Sequence, residues 1–176
     1  VLFRSMVRNP DLIKRLLTLL AHQAGSEVSI NDLATQLHMS RPTVDRYLDL
    51  LEQTFVIFRL PAFSANARKE IAKSRKIFFW DTGIRNALLN NYSVSEVRPD
   101  IGALWENWVI AEVAKQNALH GSPLELFFWR SHARSEVDLV TRRDGVLHAY
   151  EAKWTPRRVA GRALDRKSTR LNSSHV

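Results

Sequence analysis

Glu136, Asp138, Glu151 and Lys153 lie on either side of Asp144-Gly145, at intervals that would let three acids and a lysine act together. Alternating apolar and charged runs flank Asp144-Gly145, a dipeptide suited to a two-residue hairpin turn. That loop pairs Arg143 with Val146, and counting outward sets Asp138 opposite Glu151 and Glu136 opposite Lys153. All four then project from one face, because side chains alternate along a strand. A three- or five-residue loop would instead set Asp138 against Tyr150 or Ala152. Directly opposed residues have Cβ atoms roughly 4.5–5.5 Å apart, and like charges there destabilise a sheet. The simplest reason to keep two carboxylates face to face beside a lysine is a divalent cation. The plainer alternative is a sheet with one solvated, charged face, on which Glu151 and Lys153 are ordinary surface residues.

The elements before the hairpin must position it. Asn9-Pro10 starts a helix with Leu12, Ile13, Leu16, Leu17 and Leu20 at helical spacing, ended by Gly25. Ser29 and Asp32 open a second helix carrying Leu33, Ala34 and Leu37. After His38-Met39, Ser40 caps a third with a buried stripe of Val44, Tyr47, Leu48 and Leu51. Phe55 to Leu60 is a strand closed by Pro61. Three helices with a tight turn between the second and third, then a strand, make a winged helix-turn-helix. Its third helix would offer Arg41, Thr43 and Arg46 to DNA, although Asp45 and Asp49 also lie outward and repel phosphate. A structural or protein-docking module is the alternative.

From Phe63 to Lys76 the chain is basic, with Arg68, Lys69, Lys73, Arg75 and Lys76, and reads as a connector over the surface. Ile77 to Trp80 is a short buried strand, and Asp81 or Thr82 caps a helix over Ile84 to Leu89. Ile101, Leu104, Trp105, Trp108, Val109 and Val113 form one face of a helix to about Asn117. Glu106 lies at the edge of that stripe. Glu112 lies nearer its middle, so it needs a cationic partner or a polar site. Leu124 to Trp129 is a strand, followed by Arg130, a loop and the hairpin.

A helix glutamate, an aspartate on one strand and Glu-x-Lys on the next resemble the PD-(D/E)XK nuclease superfamily, the restriction-endonuclease core. Trp129-Arg130, Glu136-Val137-Asp138 and Glu151-Ala152-Lys153, preceded by Glu106-Asn107, Asp81-Thr82-Gly83 and a winged helix, are similar to the C-terminal region of a prokaryotic AAA-type ATPase family. In that family a nuclease-like domain of unknown function follows the ATPase module. The resemblance covers about residues 9 to 157. It implies that Asp138 and Glu151 ligate Mg²⁺ or Mn²⁺, with Glu106 bound directly or through water. Lys153 would orient the attacking water or stabilise phosphate charge, and Arg130 would contact nucleic acid. Mg²⁺ uses one or two carboxylates and keeps several waters, so few ligands suffice. The implied activity is phosphodiester hydrolysis in DNA or RNA; a non-catalytic regulatory or interaction module with a vestigial site is the rival.

The expected fold is therefore α+β: a winged helix-turn-helix over 9–62, a basic connector with a short strand and helix over 63–98, and a truncated restriction-endonuclease-like α/β core over 99–157. That core would comprise a helix and a three-stranded mixed sheet, lacking the family's further helix and strand. Residues 1–8 and 158–176 read as non-native tails, the latter disordered, so the chain reads as a fragment of a longer protein. At 176 residues and 45% hydrophobic content, with five Trp and eight Phe, it can bury a core. It has no cysteine, which excludes disulfides and thiolate metal sites. No apolar run reaches membrane-spanning length and no signal peptide is present, so no membrane partner is expected and the cytoplasm is the expected compartment. No Gly-x-x-x-x-Gly-Lys-Ser/Thr loop occurs, so no ATP site is expected here; the ATPase module would lie upstream in the parent chain. The net charge of +8 favours a polyanionic partner such as nucleic acid.

Overall fold

The computed structural model describes residues 10–64, 75–93, 98–131 and 135–154. Arg68, Lys69 and Lys73 of the basic run, and both expected tails, lie outside them. The described elements run α1 (Pro10–His22), β1 (Glu27–Val28), α2 (Ile30–Leu37), α3 (Arg41–Gln53), β2 (Ile57–Pro61), β3 (Arg75–Phe79), α4 (Thr82–Leu89), α5 (Ile101–Leu119), β4 (Glu125–Arg130), β5 (Glu136–Arg143) and β6 (Val146–Tyr150). The architecture is mixed α+β, with two three-stranded antiparallel sheets.

The N-terminal half builds from local signals. Gly25, at φ +79°, turns the chain after α1, a left-handed conformation that costs glycine little. Ser29 accepts a hydrogen bond from the Asp32 N–H and caps α2, and Ser40 accepts from the Thr43 N–H and caps α3. The α3 stripe of Val44, Tyr47, Leu48 and Leu51 is buried, packed with Leu16 and Leu20 of α1 and Leu33 and Leu37 of α2.

The first sheet has the order β1-β3-β2, so β3 is central. Both of its faces are covered. Ile57, Ile77 and Phe79 join the core under α1 to α3. Phe58, Leu60 and Phe78 point the other way, against Ile110, Ala111 and Ala114 of α5 and against Phe128 and Leu139 of the second sheet. This placement corrects the expectation of a surface connector ending at Lys76. Arg75 and Lys76 belong to β3, and Lys76 is buried.

The second sheet has the order β4-β5-β6 and is antiparallel throughout, not mixed as expected. Among the described residues, the parallel pairing is the single bridge Ala62 to Phe128, which links the end of β2 to β4. A second departure concerns α5. Its buried face is Asn107, Ile110, Ala111 and Ala114, whereas Trp108 is 46% exposed and Trp105 half-buried. Small alanines let the helix approach β3 closely. The tryptophans gather to one side, with Trp105 stacked on Trp108 at 5.1 Å and Trp154 edge-on to Trp105 at 5.3 Å.

Among the described residues, no helix is long and apolar enough to cross a membrane.

Candidate functional site

The hairpin has the register that its turn residues demand. Asp144 and Gly145 take φ of +52° and +78°, both in the left-handed region, as a two-residue primed turn requires. Arg143 pairs with Val146, and the ladder continues outward to Leu139 opposite Tyr150. There β6 ends, one residue before Glu151. The chain leaves the ladder, and the Ala152 N–H donates to Asp138 Oδ2 at 2.8 Å. Lys153 Nζ then lies 4.0 Å from Asp138 Oδ2 and 3.9 Å from Glu151 Oε2. Asp138, Glu151 and Lys153 are thus together, with Asp138 and Glu151 mostly buried and Lys153 largely exposed.

Glu136 and Lys153 are not a cross-strand pair. With β6 already ended, Lys153 turns to the two carboxylates, and Glu136 bonds Lys76 and lies 3.9 Å from Arg130 Nε. Glu106, on α5, lines an open cleft of about 510 Å³ with Asp138, Ala152, Lys153 and Trp154. Its Oε1 accepts from Lys76 Nζ at 2.9 Å. It also packs against the α1–β1 turn, where a Cβ on Gly25 would stand 3.5 Å from its carboxyl. Burial pushes the Glu106 carboxyl above the ordinary glutamate value; nearby Lys76 opposes this, and Asp138 and Glu136 add to it. Burial alone would lower the Lys76 ammonium, but Glu106 and Glu136 hold it above the ordinary lysine value.

The donor set fits a divalent ion in part. Two carboxylates at one lysine match what Mg²⁺ requires of protein, since it keeps most of its waters. Glu106 Oε1 is paired with Lys76, and among the described residues no three His, Cys, Asp or Glu side chains converge to hold a metal. A second cavity, about 260 Å³ and lined by Val109, Val113, Leu139 and Tyr150, also touches Asp138 and Glu151.

The other candidate residues sit elsewhere. Arg41 and Arg46 are exposed on α3, and Arg46 lies 5.8 Å from the Tyr47 ring centroid. The Thr43 hydroxyl is 2.8 Å from Ser40 Oγ, within the helix cap. Asp49 and Glu52 on the same helix both bind Arg59 of β2, so these acids face a cation of their own fold. Arg130 donates to Glu27 Oε1 at 2.7 Å, tying β4 to β1. Glu112 finds its cationic partner in Lys115, 2.7 Å away. Asp81 is a cap, accepting from the Gly83 N–H at 2.6 Å.

Three groups escape sequence reasoning. Lys76 carries one signal, a charge set flush against Ile77-Phe78-Phe79. The fully buried Asn107 holds Phe79 by both backbone groups. Buried Arg85 and Arg98 both bind Asp100 at the head of α5. Nothing local marks these contacts, which join residues distant in sequence or hidden in loops.

Residues 4–95 match a domain of unknown function, DUF8612, and residues 101–175 match another, DUF4143. Uncharacterized proteins of Mycobacterium bovis and Mycobacterium tuberculosis are each 34% identical over 145 residues, covering 81% of this chain and 32% of theirs. The chain thus spans about a third of the length of these curated relatives. No solved structure matches it. With more than half of its length matched by one domain model, the chain belongs to the DUF8612 family, and its C-terminal part is similar to DUF4143.

Proposed function

We propose that the C-terminal part is a nuclease-like domain of the PD-(D/E)XK type that hydrolyses phosphodiester bonds in nucleic acid with Mg²⁺ or Mn²⁺. The observation that supports it is the convergence of Asp138, Glu151 and Lys153 where β6 ends, with Asp138 and Lys153 lining the cleft shared with Glu106. In this reading Asp138 and Glu151 hold the ion. When bound, the ion supplies an acidified water and neutralises phosphate charge. The Ala152 N–H keeps one Asp138 oxygen in place, which orients the other. Exposed Lys153 steadies the phosphate or the attacking water. The N-terminal half acts as a winged helix that brings DNA through Arg41, Thr43 and Arg46. The parent protein is an AAA-type ATPase of the cytoplasm whose ATP site lies outside this chain.

The test is cleavage of single- and double-stranded DNA and of RNA with Mg²⁺ or Mn²⁺. Asp138→Ala is expected to bring cleavage to background while the chain stays folded; cleavage that persists in Asp138→Ala removes the site. The second reading, a non-catalytic module that docks on nucleic acid or protein, draws on Lys76 holding both Glu106 and Glu136. It predicts no cleavage under any of these conditions.

A further inference from the structure

Lys76 reaches from β3 into the acidic region of the second half. Its side chain is 3% exposed, and its ammonium contacts Glu106 Oε1 at 2.9 Å and Glu136 Oε1. The Phe128 ring centroid, 5.6 Å from Nζ, lies against another side. The two carboxylates come from different elements, α5 and β5. Each is also next to Asp138: Glu106 lines the same cleft, and Glu136 lies two residues before it, on the same side of the strand.

We infer that Lys76 is a built-in cation of this region, holding Glu106 and Glu136 in the place that a divalent ion would otherwise take. Carboxylates taken out of water repel one another and must be neutralised. An ammonium donates three hydrogen bonds and cannot dissociate from its own chain, so it wins over an ion captured from solution. It also joins the two halves of the molecule at the site. The inference rests on the nuclease-type reading for the ion at Asp138 and Glu151, and it reverses the metal role that the nuclease resemblance implies for Glu106. A divalent ion in the wild-type site is then left to Asp138 and Glu151.

The experiment uses the full 176-residue chain and Mn²⁺ as the probe. Free Mn²⁺ is followed by electron paramagnetic resonance, and the melting temperature by circular dichroism with and without the ion. Lys76→Met, similar in length and uncharged, removes the ammonium that Glu106 and Glu136 share, while Arg130 stays near Glu136. It is expected to bind about one more Mn²⁺ than wild type, or to bind it tighter on the order of tenfold, because affinity follows ligand charge. Its melting temperature should rise with Mn²⁺ well beyond the wild-type rise. If Lys76→Met is unfolded without metal, refolding on addition of Mn²⁺ is the same result. Lys76→Arg keeps the charge and should show no gain. A Lys76→Met chain that gains neither ion nor stability overturns the inference, as does an equal gain in Lys76→Arg. Both readouts are free of catalysis, so wild type without cleavage or Mn²⁺ uptake would remove the metal-dependent nuclease and leave a gain in Lys76→Met standing.

Discussion

Asn107 shows one side chain standing in for a strand. β1 pairs with β3 only at Lys76 and Arg75, so the far end of that β3 edge needs another partner. The Asn107 amide supplies it, donating to the Phe79 carbonyl at 2.7 Å and accepting from the Phe79 N–H at 2.9 Å. Asn107→Leu keeps the volume and orphans both backbone groups, each costing about 1–3 kcal/mol when buried. Urea unfolding should therefore show a loss of about 2–6 kcal/mol. A loss below about 0.5 kcal/mol, the range of a surface change, would remove this role. Glu106-Asn107 stands out in the sequence as part of a motif, but what Asn107 binds lies 28 residues upstream. Lys76 is hidden for a different reason: it closes a basic run just after Arg75, and its burial comes from β1, β2 and α5 closing around β3.

At the scale of elements, the hairpin was the most legible and α5 the least. Asp144-Gly145 dictates the turn, and the turn dictates the register, because both are settled within a few residues. The face of α5 is hard to read in the chain because tryptophans outweigh alanines in apolar area, yet alanines allow the closer approach to β3. The head of α5 is anchored by Asp100, whose carboxylate serves Arg85 Nη1 at 2.7 Å and Arg98 Nε at 2.7 Å, and it makes no capping hydrogen bond. Asp100→Asn would leave two buried guanidinium groups short of their counter-charge. The expected cost is about 3–5 kcal/mol, read from the urea midpoint, with loss of hydrogen-exchange protection in the first turns of α5.

The pH dependence has a definite sign. The hydrogen bond from Arg98 leads in holding the Asp100 carboxyl well below the usual carboxylate range; Arg85 assists, and burial opposes. A depressed folded value contributes stability above the unfolded value, about 3.9, and loses it as pH falls through the folded one. The stability gap between wild type and Asp100→Asn should therefore be full near neutrality and narrow only below about pH 4. A gap that closes above about pH 5 would place the linkage on another group.

At the scale of the molecule, the two halves share a core. Phe58, Leu60 and Phe78 of the first sheet are covered by α5, Phe128 and Leu139. A chain cut after residue 98 would expose all three, at about 1.5–3 kcal/mol for each side chain. That sum is comparable to the whole stability of a small domain, about 5–15 kcal/mol. The shortened chain is expected to be unfolded or molten, and the intact one to melt in a single transition by both circular dichroism and tryptophan fluorescence. Two separate transitions would mean that the halves are independent.

Near neighbours along the chain settle the caps of α2, α3 and α4, the primed turn, strands β2 to β6, and the hairpin register that carries Asp138 toward Glu151. Contacts between distant segments settle the rest. They send Glu136 away from Lys153, turn the alanine face of α5 inward, and drive Lys76 between two carboxylates. Periodicity and turn chemistry act over a few residues, whereas burial and ion pairing depend on which distant surfaces close on one another.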